Sequence, residues 1–277
     1  MNKEIEVEGM GVKAQGSPYI IETRNESGYY KDKYDTLQSE AMEWKISSAH
    51  NFDNHSSAKK VTEDEPALEP GDCGSLEFRV SPQSFDSITV DCLFEMKAYT
   101  EVIVKDLNGD PVKDENGDPV TALTEITTGN TAGYIEGHIL MFSGIDEYGK
   151  YTGLIDNDNV ALERILEDQT YNKNESNYTT IYWYWPEHLN ELTDSTKIKF
   201  AASEQSDVIA YIAKNKDKFF KNCSETSDKV LSDFTALAAG TSTDQVYNHY
   251  NLMYDNADLE IGNYISYIVL SMQVIQD

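Results

Sequence analysis

The chain has 277 residues and carries 22 Lys plus Arg against 49 Asp plus Glu, a formal charge of −27 at pH 7. Such a surface repels a phosphate backbone and an anionic membrane leaflet, which excludes nucleic acid and membrane as partners unless a basic patch concentrates charge locally. The densest lysine run, Lys214 to Lys221, is diluted by acidic neighbours and reads as a solvated helix face.

Hydrophobic residues make up 39% of the chain and 18 residues are Tyr, ample for a packed core. At this length an all-β chain fits one elaborated domain, taken here as 1–277. The three cysteines, Cys73, Cys92 and Cys223, cannot pair completely and do not form a disulfide scaffold. No apolar run reaches the roughly 18 residues of a membrane span, so no membrane insertion is expected.

Lys3 to Ala14 alternates apolar and charged residues and predicts a half-buried strand, with Ile5, Val7, Met10 and Val12 as its apolar set. Gly9 and Gly11 permit a bulge, and the interleaved glutamates discourage indiscriminate pairing, so this is the candidate donor strand for assembly. An ordinary first strand of its own sheet is the competing reading. The polar stretch from Thr23 to Glu65 predicts loops around one or two short strands. Ser75–Ser81 and Ser87–Met96 then predict a hairpin: Leu76, Phe78 and Val80 share one face, as do Ile88, Val90, Cys92, Phe94 and Met96.

Strand character continues to Val104 and returns at Gly133–Phe142. Between them, Asn108-Gly-Asp-Pro-Val112 recurs as Asn116-Gly-Asp-Pro-Val120, which predicts a two-turn hairpin extension over 105–130. Asn157 to Thr170 spaces Val160, Leu162, Ile165 and Leu166 as a short amphipathic helix would. Tyr178 to Pro186 is a β-rich run ended by proline and predicts a central strand. Residues 203–258 show three helical stripes, with Gly240 and the following Thr241-Ser-Thr-Asp244 as a helix stop and a new N-cap. Tyr264 to Ile275 closes the chain as a long strand. The expected fold is mainly β, an antiparallel sandwich with a helical segment inserted before the last strand.

Few constellations carry chemistry. His50 and His55, with Asp53 between them, have the wrong spacing for a zinc-binding helix and lack a third partner in rigid structure. Asp114, Asn116, Asp118 and Glu125 occupy EF-hand ligand positions, but Pro119 stands where that loop needs a turning glycine, which leaves only weak calcium binding by an acidic loop. No Gly-x-Ser-x-Gly, phosphate loop or Cys/His nucleophile pattern appears, so neither a catalytic residue nor a cofactor is expected. Tyr182-Trp-Tyr-Trp185 offers Trp183 and Trp185 as a stacking platform for sugar rings, although alternation along a strand sends half of such a run into the core.

Three segments together resemble the TasA/camelysin family of SipW-type signal-peptide surface and biofilm-matrix proteins. Glu69-Pro-Gly-Asp-Cys-Gly-Ser-Leu-Glu-Phe78 is similar to its turn and strand, Ile181-Tyr-Trp-Tyr-Trp-Pro-Glu187 to its aromatic strand, and Asp258-Leu-Glu-Ile-Gly262 with the strand after it to its final turn and strand. Met1 to Met10 looks like the residues that follow such a signal peptide. The resemblance covers a minority of positions, and the hairpin extension and the helical segment have no counterpart in it. It implies a jelly-roll-like sandwich, export to the cell surface or matrix, and partners that are other copies of the chain or matrix components. The metalloprotease label within that family is not carried over, for want of a zinc motif. An extracellular binding module for a glycan or a host protein is the alternative.

Overall fold

The computed structural model describes residues 19–24, 31–32, 41–45, 68–127, 129–156, 163–175 and 177–276. The donor-strand candidates Ile5, Val7, Met10 and Val12, and the loop residues His50, Asp53 and His55, lie outside these.

Two antiparallel sheets form the frame. The first has strand order β1 (Tyr19–Arg24), β4 (Cys73–Pro82), β10 (Thr179–Tyr184), β7 (Leu140–Ile145) and β8 (Tyr151–Leu154). The second runs β2 (Lys31–Asp32), β3 (Ala41–Lys45), β11 (Tyr267–Gln276), β5 (Ser87–Ile103) and β6 (Thr121–Glu125), with β9 (Glu163–Asn172) also on β5. β5 is long enough to be shared: β9 pairs with its first half, β6 with its last residues, and β11 covers the opposite side.

The two sheets enclose one core. Phe78 and Val80 of β4, Phe94 and Met96 of β5, Trp183 of β10 and Leu270 of β11 all belong to it. A second core lies on the far face of the first sheet, where Phe142, Tyr151 and Tyr184 meet Val208, Ile212, Phe220, Phe234 and Tyr250. These last five come from the helical segment between β10 and β11, made of α2 (Gln205–Lys214), α3 (Lys216–Phe219), α4 (Ser227–Ala238) and α5 (Asp244–Tyr264). The first sheet is therefore covered on both faces, by the second sheet and by helices.

Local chemistry sets the helix ends. Thr226 caps α4 by accepting from the Lys229 amide at 3.3 Å. Gly240, at φ +65°, ends it: its amide donates to the Leu237 carbonyl at 3.0 Å and the Thr241 amide to Ala236 at 2.9 Å, the Schellman pattern. The inserted helices begin where the sequence places them, but α5 runs past 258 to Tyr264, through the segment read as a turn, and the closing strand starts at Tyr267.

Three expectations are corrected. Ser75–Ser81 and Ser87–Met96 are strands with their apolar faces inward as expected, but they are not a hairpin: β4 belongs to one sheet and β5 to the other. The chain crosses the core between them, so the two apolar faces oppose each other instead of lying side by side. The expected strand at Gly133–Phe142 begins as a helix, α1 (Thr131–His138), and becomes extended only at Leu140. The expected helix over Asn157–Thr170 is strand β9 from Glu163 onward.

A β-bulge interrupts β9 after Leu166. The register shifts between Val90 and Cys92, Asp168 adopts φ +55°, and its amide bonds Asp91 Oδ1 at 2.9 Å. Leu166 pairs with Cys92, Gln169 with Val90 and Tyr171 with Ile88, so core-side positions fall at 166, 169 and 171. The helical spacing expected from the sequence instead joined Val160 and Leu162, which lie outside the described residues, to Ile165 and Leu166, which are consecutive strand residues paired with Leu93 and Cys92.

Candidate functional site

The aromatic strand is an interior element. Trp183 and Trp185 are each 1% exposed and Tyr184 is fully buried, so neither tryptophan presents a face to a sugar. The expectation that half the run faces outward fails because the first sheet has no solvent face here. Trp183 and Trp185 fill the core between the sheets, while Tyr184 packs under the helices. Burial and the Glu191 carboxylate, which accepts its hydroxyl, push the Tyr184 phenol far above its usual range.

The three segments that carry the family resemblance meet at this strand. The Gly71 amide donates to the Trp185 carbonyl at 2.7 Å, and the Trp185 amide donates to the Asp72 carbonyl at 2.9 Å. Gly74 lies opposite Trp183 in register, and a Cβ at Gly74 would come within 2.8 Å of the indole. From the third segment, Asp258 Oδ1 accepts the Trp185 indole N–H at 3.1 Å.

Asp258 also joins a buried histidine that no sequence motif marks. His138, at the end of α1, is fully buried; its Nδ1 lies 2.7 Å from Asp258 Oδ1 and its Nε2 3.0 Å from the Phe219 carbonyl. Both ring nitrogens thus face oxygen atoms, Oδ1 of Asp258 on one side and the Phe219 carbonyl on the other. The Tyr254 ring stacks on the imidazole at 4.1 Å between centroids, and its hydroxyl donates to the Pro186 carbonyl at 3.1 Å. Burial also pushes the nearby Asp255 carboxyl up, and the Asp258 charge adds to that.

This cluster ties α1, α3 and α5 to the end of β10. A general base must reach its substrate, and a sealed imidazole with both nitrogens engaged does not. The signal in the sequence was faint, because 120 residues separate His138 from Asp258.

Two of the three thiols are held in the protonated form. Burial pushes Cys92 up to about 12. Cys223 is pushed up to about 11 by burial and by its hydrogen bond to Glu225, whose carboxylate also meets His249 Nε2 at 2.7 Å. Cys73 is exposed, and all three cysteines are free thiols. Among the described residues no group of three His, Cys, Asp or Glu is arranged to hold a metal ion. A cleft of about 450 Å³ lies where β5 and β6 meet α1, but its two lysines each engage a carboxylate of the same cleft, Lys218 with Glu136 at 2.6 Å and Lys97 with Glu95 at 3.6 Å.

The hairpin extension is a small closed knob. The Val104 amide donates to Val120, Val112 to Val104 and Val120 to Val112, at 2.8–2.9 Å, a ring of three hydrogen bonds. Each repeat is an Asx turn: Asp106 Oδ1 accepts from the amides of Asn108 and Asp110, and Asp114 Oδ1 from those of Asn116 and Asp118. A third copy at Asp146–Lys150 joins β7 to β8 with the same bonds, legible in retrospect as Asp-x-x-Gly. Amide donors, from Asp110 first and then Asn108, hold the Asp106 carboxyl below its ordinary value, and Asp118 leads the same effect on Asp114. One oxygen of each carboxylate is thereby committed to shaping the turn instead of to a cation.

Compared with known proteins, the chain matches no family model, no curated protein and no solved structure. Among the described residues no helix is long and apolar enough to cross a membrane.

Proposed function

We propose that this chain is a secreted bacterial cell-surface or biofilm-matrix structural protein, a jelly-roll-like β-sandwich that assembles with copies of itself or with matrix components. The observation that carries the reading is the convergence at β10: segments around Asp72 and Asp258, far apart in sequence, each bond Trp185 directly. Together they form one structural unit, as motifs inherited together would.

Assembly proceeds by donation of the alternating segment Glu4–Ala14, with Ile5, Val7, Met10 and Val12 as its inward set, to a sheet edge of a neighbouring subunit. Its position supports this, since it precedes β1, which lies at an edge of the five-stranded sheet. With −27 on each subunit, assembly requires screening by salt, acid or divalent cations, because repulsion between exposed charges extends over a Debye length of about 10 Å at 0.1 M salt. The alternative of a glycan-binding module loses its main support with the burial of Trp183 and Trp185.

The test is electron microscopy with light scattering on the full chain and on a chain lacking residues 1–16, each titrated with acid and calcium. Fibres from the full chain alone are expected. Identical fibres from both, or none from either, would overturn the assembly mechanism.

A further inference from the structure

The ribbon made by the end of β5 and by β6 stands clear of both cores. Every residue of β6 is exposed, as are Glu101, Val102 and Ile103 opposite it. Val102, Ile103 and Leu123 expose 40%, 49% and 45% of their surface. Glu101 pairs with Leu123 and Ile103 with Thr121, which puts Ile103 and Leu123 diagonally adjacent on one face.

The backbone pattern shows which groups of β6 are committed. The Ile126 amide donates to Ala98 and the Val104 amide to Val120, so the even-numbered residues of β6 bond to β5. The alternation of an antiparallel ladder then turns the N–H and C=O groups of Thr121, Leu123 and Glu125 outward. Among the described residues no strand pairs with that outer edge. Natural edges are commonly blunted by lysine, proline or a bulge, and Thr-Ala-Leu-Thr-Glu has none of these. From Glu101 to Glu125 the ribbon and its knob carry seven acidic residues and two lysines.

We propose that β6 is a docking edge for an extended basic segment of another protein, which adds to the six-stranded sheet as a further strand. The outward main-chain groups of Thr121, Leu123 and Glu125 supply the pairing, and the apolar pair Ile103 and Leu123 receives an apolar side chain on the same face. Charge selects the partner: a lysine or arginine two residues from that apolar side chain meets Glu125, whereas a second copy would bring one acidic knob against another. The inference is independent of the donor-strand reading.

The probe is a blocked heptapeptide with valine at its centre, lysine two residues to either side on the same face and threonine at the other positions, titrated into the full chain, with its glutamate-for-lysine counterpart as control. The lysine peptide is expected to slow amide exchange at Thr121, Leu123 and Glu125, and the glutamate peptide to bind at least about tenfold more weakly. Leu123→Pro removes an outward N–H without touching the β5 ladder and should weaken binding at least about tenfold. Should that variant disturb the ribbon, Leu123→Lys keeps the backbone and is expected to weaken the lysine peptide while strengthening the glutamate one. Equal binding of both peptides, unchanged binding in both variants, or self-association of the chain through β6 would overturn the proposal.

Discussion

Gly137 is where two physical rules disagree about a single methyl group. In an exposed helix, replacing glycine by alanine stabilises by about 1 kcal/mol. Gly137, however, faces the backbone of α3: a Cβ there would lie 2.3 Å from the Lys218 carbonyl oxygen, 2.5 Å from its carbon and 3.0 Å from the Phe219 nitrogen. A backbone carbonyl cannot swing aside, so α3 must move by on the order of 1 Å to restore normal contact. Overpacking of this kind costs about 1–3 kcal/mol. The same movement strains the bond between His138 Nε2 and the Phe219 carbonyl, now 3.0 Å, and loss of a buried hydrogen bond costs about 1–3 kcal/mol more. Gly137→Ala should therefore destabilise by about 1–5 kcal/mol after the helical gain is subtracted. Thermal unfolding should show a Tm lower by roughly 2–20 °C. Gly133→Ala, in the same helix but with its Cβ 3.8 Å from the flexible Lys218 side chain, should be neutral or slightly stabilising. If Gly137→Ala is as stable as the parent, α1 does not pack on α3 in the way described.

Asp258→Ala should cost about 3–5 kcal/mol in urea unfolding, because it leaves the buried His138 Nδ1 and the Trp185 indole N–H without the partner they share. Asp255→Asn should not destabilise at pH 7: burial and Asp258 raise that carboxyl, so its charge opposes folding there, and any advantage of the amide should fade as pH falls and the native carboxyl protonates. Alkylation of native protein at pH 8, mapped by mass spectrometry, should modify the exposed Cys73 first and Cys223 slowly, with Cys92 reacting only on unfolding; rapid native labelling of Cys92 would contradict its burial. The lowered Asp106 and Asp114 carboxyls stabilise the knob fully above the unfolded carboxylate range of about pH 4 and lose that effect as pH falls through their folded values. Amide shifts of Asn108 and Asn116 should accordingly titrate only below that range.

Alternation located the inward faces of β4 and β5 but not their neighbours. Leu76, Phe78 and Val80 on one strand and Ile88 to Met96 on the next are compatible with two strands side by side or with two strands facing each other across a core, and the short connection between them permits either. The β-rich aromatic run was recognisable as a strand, yet the burial of both its faces depends on helices that arrive later in the chain. At α1 the glycines concealed the helix. Gly137 is required by close approach to α3, a tertiary demand that overrides propensity. β9 was concealed because the apolar residues that suggested a helix straddle its start, Val160 and Leu162 before Glu163 and Ile165 and Leu166 after it. The helical segment was legible because its stripes and stop signals are local. The His138–Asp258 contact was not, because nothing local marks either residue.

The most direct test of strand donation is a competition experiment. A peptide of residues 1–16, added in excess as assembly of the full chain begins, should occupy acceptor edges and halt fibre growth in proportion to its concentration, while a scrambled peptide of the same composition leaves growth unchanged. Growth unaffected by the native-sequence peptide, or slowed equally by the scrambled one, would contradict the account.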